Sequence, residues 1–225
     1  MQSVLVLRGG DVISGGDSGA LHTYHSSVSE DLLAPTTLAG HKAAVMCLDA
    51  PGKAGPRVLS GSADHTAVVW DLAAGGARTA SLLGHTRSVH CLAVGQAAPF
   101  GESVVFTGSR DHTIKLWDLR QPEGATHTLS GHTGSVTCLG VRGWKLASGG
   151  GYDRAADDNE VLAVDTSVKL WDLRKLPGSG VGAGTSAAAA AAADASAACV
   201  WSRSAYNGGL FGVAARRGEL RRLRG

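Results

Sequence analysis

Short runs of alternating apolar and polar residues recur along the chain, and each follows a turn-forming segment. The runs "TAVVW" (66–70) and "TIKLW" (113–117) alternate and are rich in β-branched residues, which is typical of half-buried β-strands. The segments "SADHT" (62–66) and "SRDHT" (109–113) favour tight turns, because Ser and Asp side chains bond to the nearby backbone. The pattern predicts many short antiparallel strands joined by turns.

A longer motif repeats at a fixed spacing. It reads "GHKAAVMCL" (40–48), "GHTRSVHCL" (84–92) and "GHTGSVTCL" (131–139), and its histidines are 44 and 47 residues apart. Each copy is followed by a segment that ends in Trp-Asp, in which the tryptophan lies six positions after the turn aspartate. One such unit cannot bury both faces of its sheet, whereas stacked units can, so the repetition is an energetic requirement.

These paired GH and WD signatures resemble the WD-repeat family of β-propellers over roughly residues 40–174. The resemblance implies an all-β fold, a β-propeller of four-stranded antiparallel blades. We expect it to be incomplete, with about four or five blades visible. Such families usually close a ring of seven, and the sequence leaves open a fragment, a ring completed by a partner, or an unusually small closed ring.

The repeat also predicts the domain organisation. Residues 1–39 are expected to be a partial first blade in which Tyr24 replaces the tryptophan. Complete blades are expected at 40–83, 84–130 and 131–176, the last with an inserted turn loop. Residues 177–198 have the composition of a Gly/Ala/Ser-rich linker, and residues 199–225 are either a degenerate blade or a basic tail.

Each complete unit contains a histidine, a hydroxyl, an aspartate and an indole. The three sets are His41/Ser60/Asp64/Trp70, His85/Thr107/Asp111/Trp117 and His132/Ser148/Asp165/Trp171. The resemblance implies a buried network in which the indole donates to the hydroxyl, the hydroxyl meets the histidine, and the histidine meets the aspartate. The rival interpretation is a Ser/His/Asp hydrolase.

Several features argue against the hydrolase. It would need three active sites on three blades, one copy has threonine in place of serine, and no GxSxG elbow is present. A tryptophan has no role in that chemistry, whereas a buried indole N–H needs an acceptor. We therefore expect no enzyme, no catalytic residue and no cofactor.

Composition limits the classes of protein and the kinds of site that this sequence can represent. The chain is 44% hydrophobic with a formal net charge of +2, so it can fill a core, and the charge indicates no particular partner. No apolar run approaches the roughly 20 residues that span a bilayer, and the first residues do not match a signal peptide. Cys47, Cys91 and Cys138 share one repeat position and no CxxC pair exists, so we expect buried thiols, no metal site and a cytoplasmic or nuclear protein.

Candidate partner residues come from the family's geometry. In that family the loops before each first strand and the turns between second and third strands share one face, which here carries Lys42, Arg87 and Arg110. Tyr152 belongs to the inserted loop on the same rim. The competing interpretation is a solvated surface with a mobile loop.

We expect a protein or peptide partner and no membrane. The sequence argues against nucleic acid as a partner, because the arginines from residue 216 onward lack interleaved aromatics and Trp201, Tyr206 and Phe211 lie upstream of them.

A second resemblance concerns "VFTGSRDHTIKLWDLR" (105–120). It matches the pattern of WD-repeat substrate receptors of cullin-RING ubiquitin ligases, in which Arg120 is the diagnostic residue and Arg174 repeats it. The first complete unit departs from the pattern with Ala67 and Ala73.

The leading expectation is a noncatalytic protein-interaction scaffold. The alternative is a substrate receptor of a cullin-RING or F-box ubiquitin ligase, which would bind the ligase adaptor.

Overall fold

The computed structural model describes residues 3–7, 9–25, 35–51, 56–95, 101–154, 161–176 and 198–204. Within these ranges the chain is almost entirely β-strand, with short 3₁₀ turns at Gly101–Ser103 and Leu173–Lys175. No helix in this part of the chain has the length and apolar character needed to cross a membrane. Most of the expected linker and the basic residues from 205 onward lie outside the described residues.

Sixteen of the strands form four antiparallel sheets, which we number as blades in chain order. Blade 1 contains β1 (Ser3–Val6), β2 (Val12–Gly15), β3 (Ala20–Tyr24) and β4 (Thr36–Ala39). Blade 2 contains β5 (Val45–Asp49), β6 (Arg57–Ser62), β7 (Ala67–Asp71) and β8 (Ala77–Leu82). Blade 3 contains β9 (Val89–Val94), β10 (Val104–Ser109), β11 (Ile114–Asp118) and β12 (His127–Leu129).

Blade 4 is assembled differently from the others. Its strands are β13 (Val136–Arg142), β14 (Lys145–Gly150), β17 (Ser167–Asp172) and β18 (Cys199–Ser204), in that order across the sheet. Between β14 and β17 the chain forms a separate hairpin of β15 (Tyr152–Arg154) and β16 (Val161–Val164). The inserted turn of the third complete repeat therefore contains a two-stranded element.

Blades 1 and 4 contain strands that no repeat motif marks in the sequence. Residues 3–39, which lack a GH motif, supply four paired strands, since Ser3–Val6 pairs along Val12–Gly15. At the other end, Cys199–Ser204 pairs with β17 as the outer strand of blade 4. The outer strand of that blade therefore comes from beyond residues 177–197.

The apolar cores lie between consecutive blades, because successive side chains of a strand point to opposite faces of the sheet. Three clusters of buried side chains fill the three junctions. Ile13, Leu21 and Leu38 meet Val58 and Trp70; Leu59 and Val69 meet Val105 and Trp117; and Phe106 and Leu116 meet Leu146 and Trp171. Packing of this kind, with sheets stacked face to face in series, is that of an incomplete β-propeller.

Glycines in the second strand allow adjacent blades to approach closely. A Cβ built on Gly108 would lie 2.5 Å from the Cys91 sulfur and 2.7 Å from a methyl carbon of Val136 in blade 4. Gly61 occupies the same position in blade 2, where a Cβ would lie 2.7 Å from Val89 of blade 3. These separations are shorter than any ordinary carbon contact, so only glycine fits.

We predict that Gly108→Ala destabilises the protein by about 1–3 kcal/mol, because the added methyl group overpacks the junction between blades 3 and 4. The matched control is Gly124→Ala, since a Cβ there has nothing within 4 Å. The measurement is the free energy of unfolding from urea denaturation of both variants. Equal stability of the two would contradict the packing argument.

Candidate functional site: a buried network in three blades and two rims

Four side chains of blade 2 form a continuous hydrogen-bonded chain. The Trp70 Nε1–H of β7 donates to Ser60 Oγ of β6 at 2.7 Å. The same oxygen lies 2.7 Å from His41 Nε2, in the loop before β5. His41 Nδ1 lies 2.9 Å from Asp64 Oδ2, in the turn between β6 and β7. The network therefore joins a loop, a turn and two strands that are separate in sequence.

Blade 3 repeats this arrangement with threonine in place of serine. Trp117 Nε1 donates to Thr107 Oγ1 at 2.8 Å, and that oxygen lies 2.7 Å from His85 Nε2. His85 Nδ1 is 2.7 Å from Asp111 Oδ2. Threonine makes the same hydrogen bonds here as serine does in blade 2, so the network depends on the hydroxyl group and not on the rest of the side chain.

Blade 4 has the same chain despite its insertion. Trp171 Nε1 donates to Ser148 Oγ at 2.8 Å, and His132 Nε2 lies 2.7 Å from that oxygen. His132 Nδ1 is 2.6 Å from Asp165 Oδ2. All twelve side chains that the sequence groups into three sets are thus brought together, one set to a blade.

The donor and acceptor roles follow from the chemistry of the groups in each chain. An indole N–H can only donate, so the hydroxyl oxygen accepts from it. The hydroxyl oxygen also shares a hydrogen bond with the histidine Nε2. An ionised carboxylate can only accept, so the histidine Nδ1–H donates to the aspartate in each of the three networks.

The aspartate also holds the backbone on both sides of the network. Asp64 accepts from the N–H of Lys42 at 2.9 Å, which fixes the loop before β5. It accepts from the Thr66 hydroxyl at 2.6 Å and from the Thr66 N–H at 3.0 Å, which fixes the turn. The turn places His65 in the left-handed region with φ 73°. One carboxylate thus sets the relative position of the loop and the turn.

The hydroxyls beside the aspartates were not among the residues predicted from the sequence. Thr66, Thr113 and Ser167 each donate to the aspartate two positions earlier, at 2.5–2.6 Å. The signal was present as a hydroxyl two residues after the aspartate in "DHT", "DHT" and "DTS". This spacing is that of an Asx turn, in which the aspartate bonds to the backbone two residues on.

The hydrogen bonds lower the pKa of the aspartates. Burial alone would raise the pKa of Asp64, but bonds from Thr66, from the Lys42 N–H and from His41 outweigh it and lower the pKa to about 2. The same balance holds the pKa of Asp111 and Asp165 well below the usual range, with the histidine as the main favourable partner. The carboxylates are therefore ionised acceptors at neutral pH.

The order hydroxyl, imidazole and carboxylate is also that of a hydrolase triad, but here the hydroxyl is inaccessible. Ser60, Thr107 and Ser148 are each 0% exposed. The oxygen that would attack a substrate already accepts from an indole in each of blades 2, 3 and 4. The arrangement can position loops, but it leaves no space for a scissile bond beside its hydroxyl.

The loops and turns held by the network form one end of the blades, which we call the upper rim (residues 41–44, 62–66, 85–88, 109–113, 132–135 and 151–154). Arg87 and Arg110 are neighbours there, since the Arg110 N–H donates to Ser88 O at 2.9 Å and Ser109 Oγ donates to Arg87 O at 3.1 Å. Lys42 directly follows His41 in the corresponding loop of blade 2. Lys42 and Arg87 are both exposed.

The inserted hairpin belongs to the same rim. The Gly151 N–H donates to Ser135 O at 2.8 Å, in the loop before β13, and the Asp165 N–H donates to Gly151 O at 3.1 Å. Tyr152 stands opposite Val164 in the hairpin, and Val164 is 49% exposed. Three acidic residues of the insertion, Asp157, Asp158 and Glu160, lie outside the described part of the chain.

Arg120 and Arg174 lie at the opposite end, the lower rim (residues 71–74, 118–121, 143–145 and 172–175). Asp118 pairs with Val104 at the start of β10, away from the turn that carries Arg110. Arg120 Nε donates to the two Asp118 oxygens at 2.9 and 3.1 Å. Arg174 Nε donates to Asp172 at 2.9 Å in the same way. The six candidate partner residues therefore fall on two rims rather than in one site.

Three cysteines occupy the same position in successive repeats. Cys91 and Cys138 are buried, Cys47 is partly buried, and none is in a disulfide. Burial raises the pKa of all three thiols. In the part of the chain that the structure describes, no cluster of three or more His, Cys, Asp or Glu side chains could hold a metal ion.

Comparison with known proteins gives three findings. The family model described as "WD domain, G-beta repeat" matches residues 34–71 and 76–118. No curated protein sequence matches the chain. Among solved structures, a chain in the crystal structure of a mitotic checkpoint complex is similar with a TM-score of 0.61 and 23% sequence identity. The match covers 76% of this chain and 47% of that chain, so this chain spans about half of that protein's length, and at this identity the likeness supports the fold alone.

We predict that Thr107→Val destabilises blade 3 by about 1–3 kcal/mol, because it leaves both the Trp117 N–H and His85 Nε2 buried without a partner. Thr107→Ser is the matched control, since blades 2 and 4 use serine at this position. Urea unfolding of the two variants measures the difference. If valine were tolerated as well as serine, the hydroxyl would have no structural role.

We also predict that the protein loses stability as the pH falls from about 4 to about 2. The unfolded aspartate has a pKa of about 3.9, and a depressed native pKa stabilises the fold only while the carboxylate stays ionised. Melting temperatures measured between pH 6 and pH 2 should fall through this window. Asp111→Asn should be less stable than the parent at pH 6 and should show a shallower decline in melting temperature with acid, because it lacks one of the carboxylates whose pKa is lowered.

Proposed function

We propose that this WD-repeat chain, with its β-propeller fold, is a noncatalytic scaffold that binds a partner protein or peptide on the upper rim. The observation that carries the proposal is the bonding of Asp111. Its carboxylate accepts from His85, from the Thr86 N–H at 3.1 Å and from the Thr113 hydroxyl at 2.6 Å. The backbone on both sides of the rim is thereby fixed before any partner arrives, and a preorganised surface binds at lower entropic cost.

The chemistry of the upper rim favours an acidic partner segment. Lys42, Arg87 and Arg110 stand on two adjacent blades, while Asp64 and Asp111 beneath them are committed to internal bonds. A guanidinium can contact a carboxylate through two parallel donors, which gives orientation as well as attraction. The exposed Val164 beside Tyr152 on the blade 4 hairpin offers an apolar contact at the same rim.

A noncatalytic role is supported by the sealed hydroxyls of the three networks. They are the residues that most resemble a catalytic set, and none reaches the surface. A soluble fluorogenic ester or peptide should therefore give no turnover above buffer.

We further propose that the protein works in the cytoplasm or nucleus, where its unbridged cysteines would remain reduced.

We predict that Arg87→Glu with Arg110→Glu reduces recovery of the partner at least tenfold in affinity purification with quantitative mass spectrometry. The reversal replaces attraction for acidic groups by repulsion without touching the buried network. The control is Arg57→Glu, an exposed arginine at the lower end of β6. A partner recovered equally with all three proteins would show that the upper rim is not its binding surface.

A second candidate function is favoured by the lower rim. The Arg120 and Arg174 side chains are 74% and 60% exposed, and each is held in a defined orientation by an aspartate two residues before it. Blade 2 has the same turn, with Asp71 accepting from the Ala73 N–H at 2.9 Å, but no guanidinium there. A pair of fixed, outward-facing guanidinium groups is a suitable contact for the adaptor of a cullin-RING ubiquitin ligase.

The two candidate functions give different outcomes with lower-rim variants. If the chain is a ligase substrate receptor, Arg120→Ala with Arg174→Ala should abolish recovery of the adaptor, while the neighbouring exposed Lys175→Ala should not. Equal recovery of the adaptor with these variants, or its absence from the parent sample, would remove this candidate and leave the upper-rim proposal intact.

A further inference from the structure

Four basic side chains gather at the lower end of blade 4, and we call them the basic patch: Arg142, Lys145, Arg174 and Lys175. Arg142 and Lys145 stand directly opposite each other at the ends of β13 and β14. Arg174 and Lys175 follow β17 in the 3₁₀ turn. Arg142, Arg174 and Lys175 are exposed, and the Lys145 side chain is 42% exposed, so the patch faces solvent.

Hydrogen bonds fix the two turns of the basic patch against each other. The Leu173 N–H donates to Trp144 O at 2.9 Å, which ties the turn after β17 to the turn after β13. Lys145 Nζ lies 2.9 Å from Asp172 Oδ2, and Arg174 Nε donates to Asp172 Oδ1 at 2.9 Å. The cationic groups are therefore held close together before any ligand binds, which lowers the entropic cost of binding.

The basic patch carries an excess of positive charge. Asp172 is the single acidic side chain at this end of blade 4 within the described residues, which leaves a formal excess of three positive charges. Arg142 and Lys145 place like charges directly opposite each other in a hairpin, which is unfavourable. Residues 177–197 contain one acidic residue, Asp194, which is too few to offset this excess. A bound anion would relieve the repulsion.

Blade 3 has the opposite charge at the same end. Its lower loops carry the exposed Glu102 and Glu123 together with Asp118, and Arg120 is the one cation among the described residues of these loops. Blades 3 and 4 share one core cluster, so the acidic loops lie beside the basic patch. A ligand that extends from blade 4 across blade 3 would therefore pass from attraction to repulsion.

We propose that the basic patch binds a short acidic segment of a partner protein. Packed sheets lie about 10 Å apart and an extended chain rises about 3.3 Å per residue, so about three or four acidic residues match the width of one blade. An exposed guanidinium such as that of Arg142 can bind a carboxylate through two parallel donors.

The charge of blade 3 favours this ligand over other anions. Nucleic acid and anionic membranes carry negative charge over spans longer than one blade, and Glu102 and Glu123 would repel the part that lies over blade 3. Trp144 is partly buried against the core of blade 4, which suits it poorly for stacking on a base. A protein segment can confine its acidic residues to the patch.

The first test measures binding of a defined acidic probe by fluorescence anisotropy. The probe is a labelled peptide with four consecutive glutamates between neutral residues, and the same peptide with glutamines is its control. The parent chain should bind the glutamate peptide at least tenfold more tightly, and the difference should shrink as salt is added, because exposed charges are screened. Equal binding of the two peptides would overturn the proposal.

The second test locates the binding site. Arg142→Glu with Lys175→Glu should weaken binding of the glutamate peptide at least tenfold. The matched control is Arg57→Glu with Arg78→Glu, which alters two exposed arginines of blade 2 and changes the net charge equally. No loss with the first pair, or the same loss with both pairs, would show that the patch is not the site. Arg142→Gln with Lys175→Gln should give a smaller loss in the same direction and serves if the glutamate pair fails to fold.

These variants separate the basic patch from the functions proposed above. The patch shares Arg174 with the ligase-adaptor candidate, and the variants leave both Arg120 and Arg174 unchanged. The adaptor and the upper-rim partner should therefore be recovered as with the parent, while the acidic probe is lost.

The third test addresses the kind of anion. Glu102→Lys with Glu123→Lys should raise the affinity for a labelled single-stranded DNA at least tenfold, and far more than the affinity for the short glutamate peptide. No such gain would contradict the role of blade 3. If the parent bound this DNA, or vesicles containing phosphatidylserine, more tightly than the peptide, and Arg142→Glu with Lys175→Glu removed that binding, the ligand would not be an acidic protein segment.

Discussion

A directed line of hydrogen bonds, from indole to hydroxyl to imidazole to carboxylate, is the interaction on which each complete blade depends. The indole, the hydroxyl and the imidazole are buried in each of these blades, and the carboxylate is mostly buried. Loss of any member leaves buried polar groups without partners, which costs more than the bond itself contributes. Because the line ends on an aspartate that also binds a loop and a turn, it determines the shape of the upper rim.

Repetition extends this local constraint into a series of blades. Gly61 and Gly108 allow the inner strand of the next blade to approach, and Cys91 Sγ donates to Val136 O across the junction at 3.5 Å. Each blade is thus stabilised by its neighbours, as in repeat proteins generally.

The sequence alone was sufficient for the features that rest on local spacing. The GH and WD motifs predicted the strands of blades 2 and 3 and the composition of the networks. It was insufficient for β18, which carries no motif and pairs with β17 from beyond residues 177–197. Arg120 and Arg174 lie at the opposite end of their blades from Arg110, because each follows the third strand of its blade whereas Arg110 precedes that strand.

The network also explains where this fold accepts extra residues. Ser148 and Asp165 are seventeen residues apart, against four between Ser60 and Asp64, yet their bonds to the shared histidine have nearly the same lengths. The inserted residues lie between Ser148 and Asp165 in the sequence and form a hairpin. Backbone hydrogen bonds of Gly151 to Ser135 and Asp165 anchor this hairpin, so that Asp165 still reaches the histidine. The upper rim can therefore vary in sequence and length without loss of the blade, because the aspartate needs only to return to its histidine. A surface that is fixed in position but free in composition is what recognition of a particular partner requires.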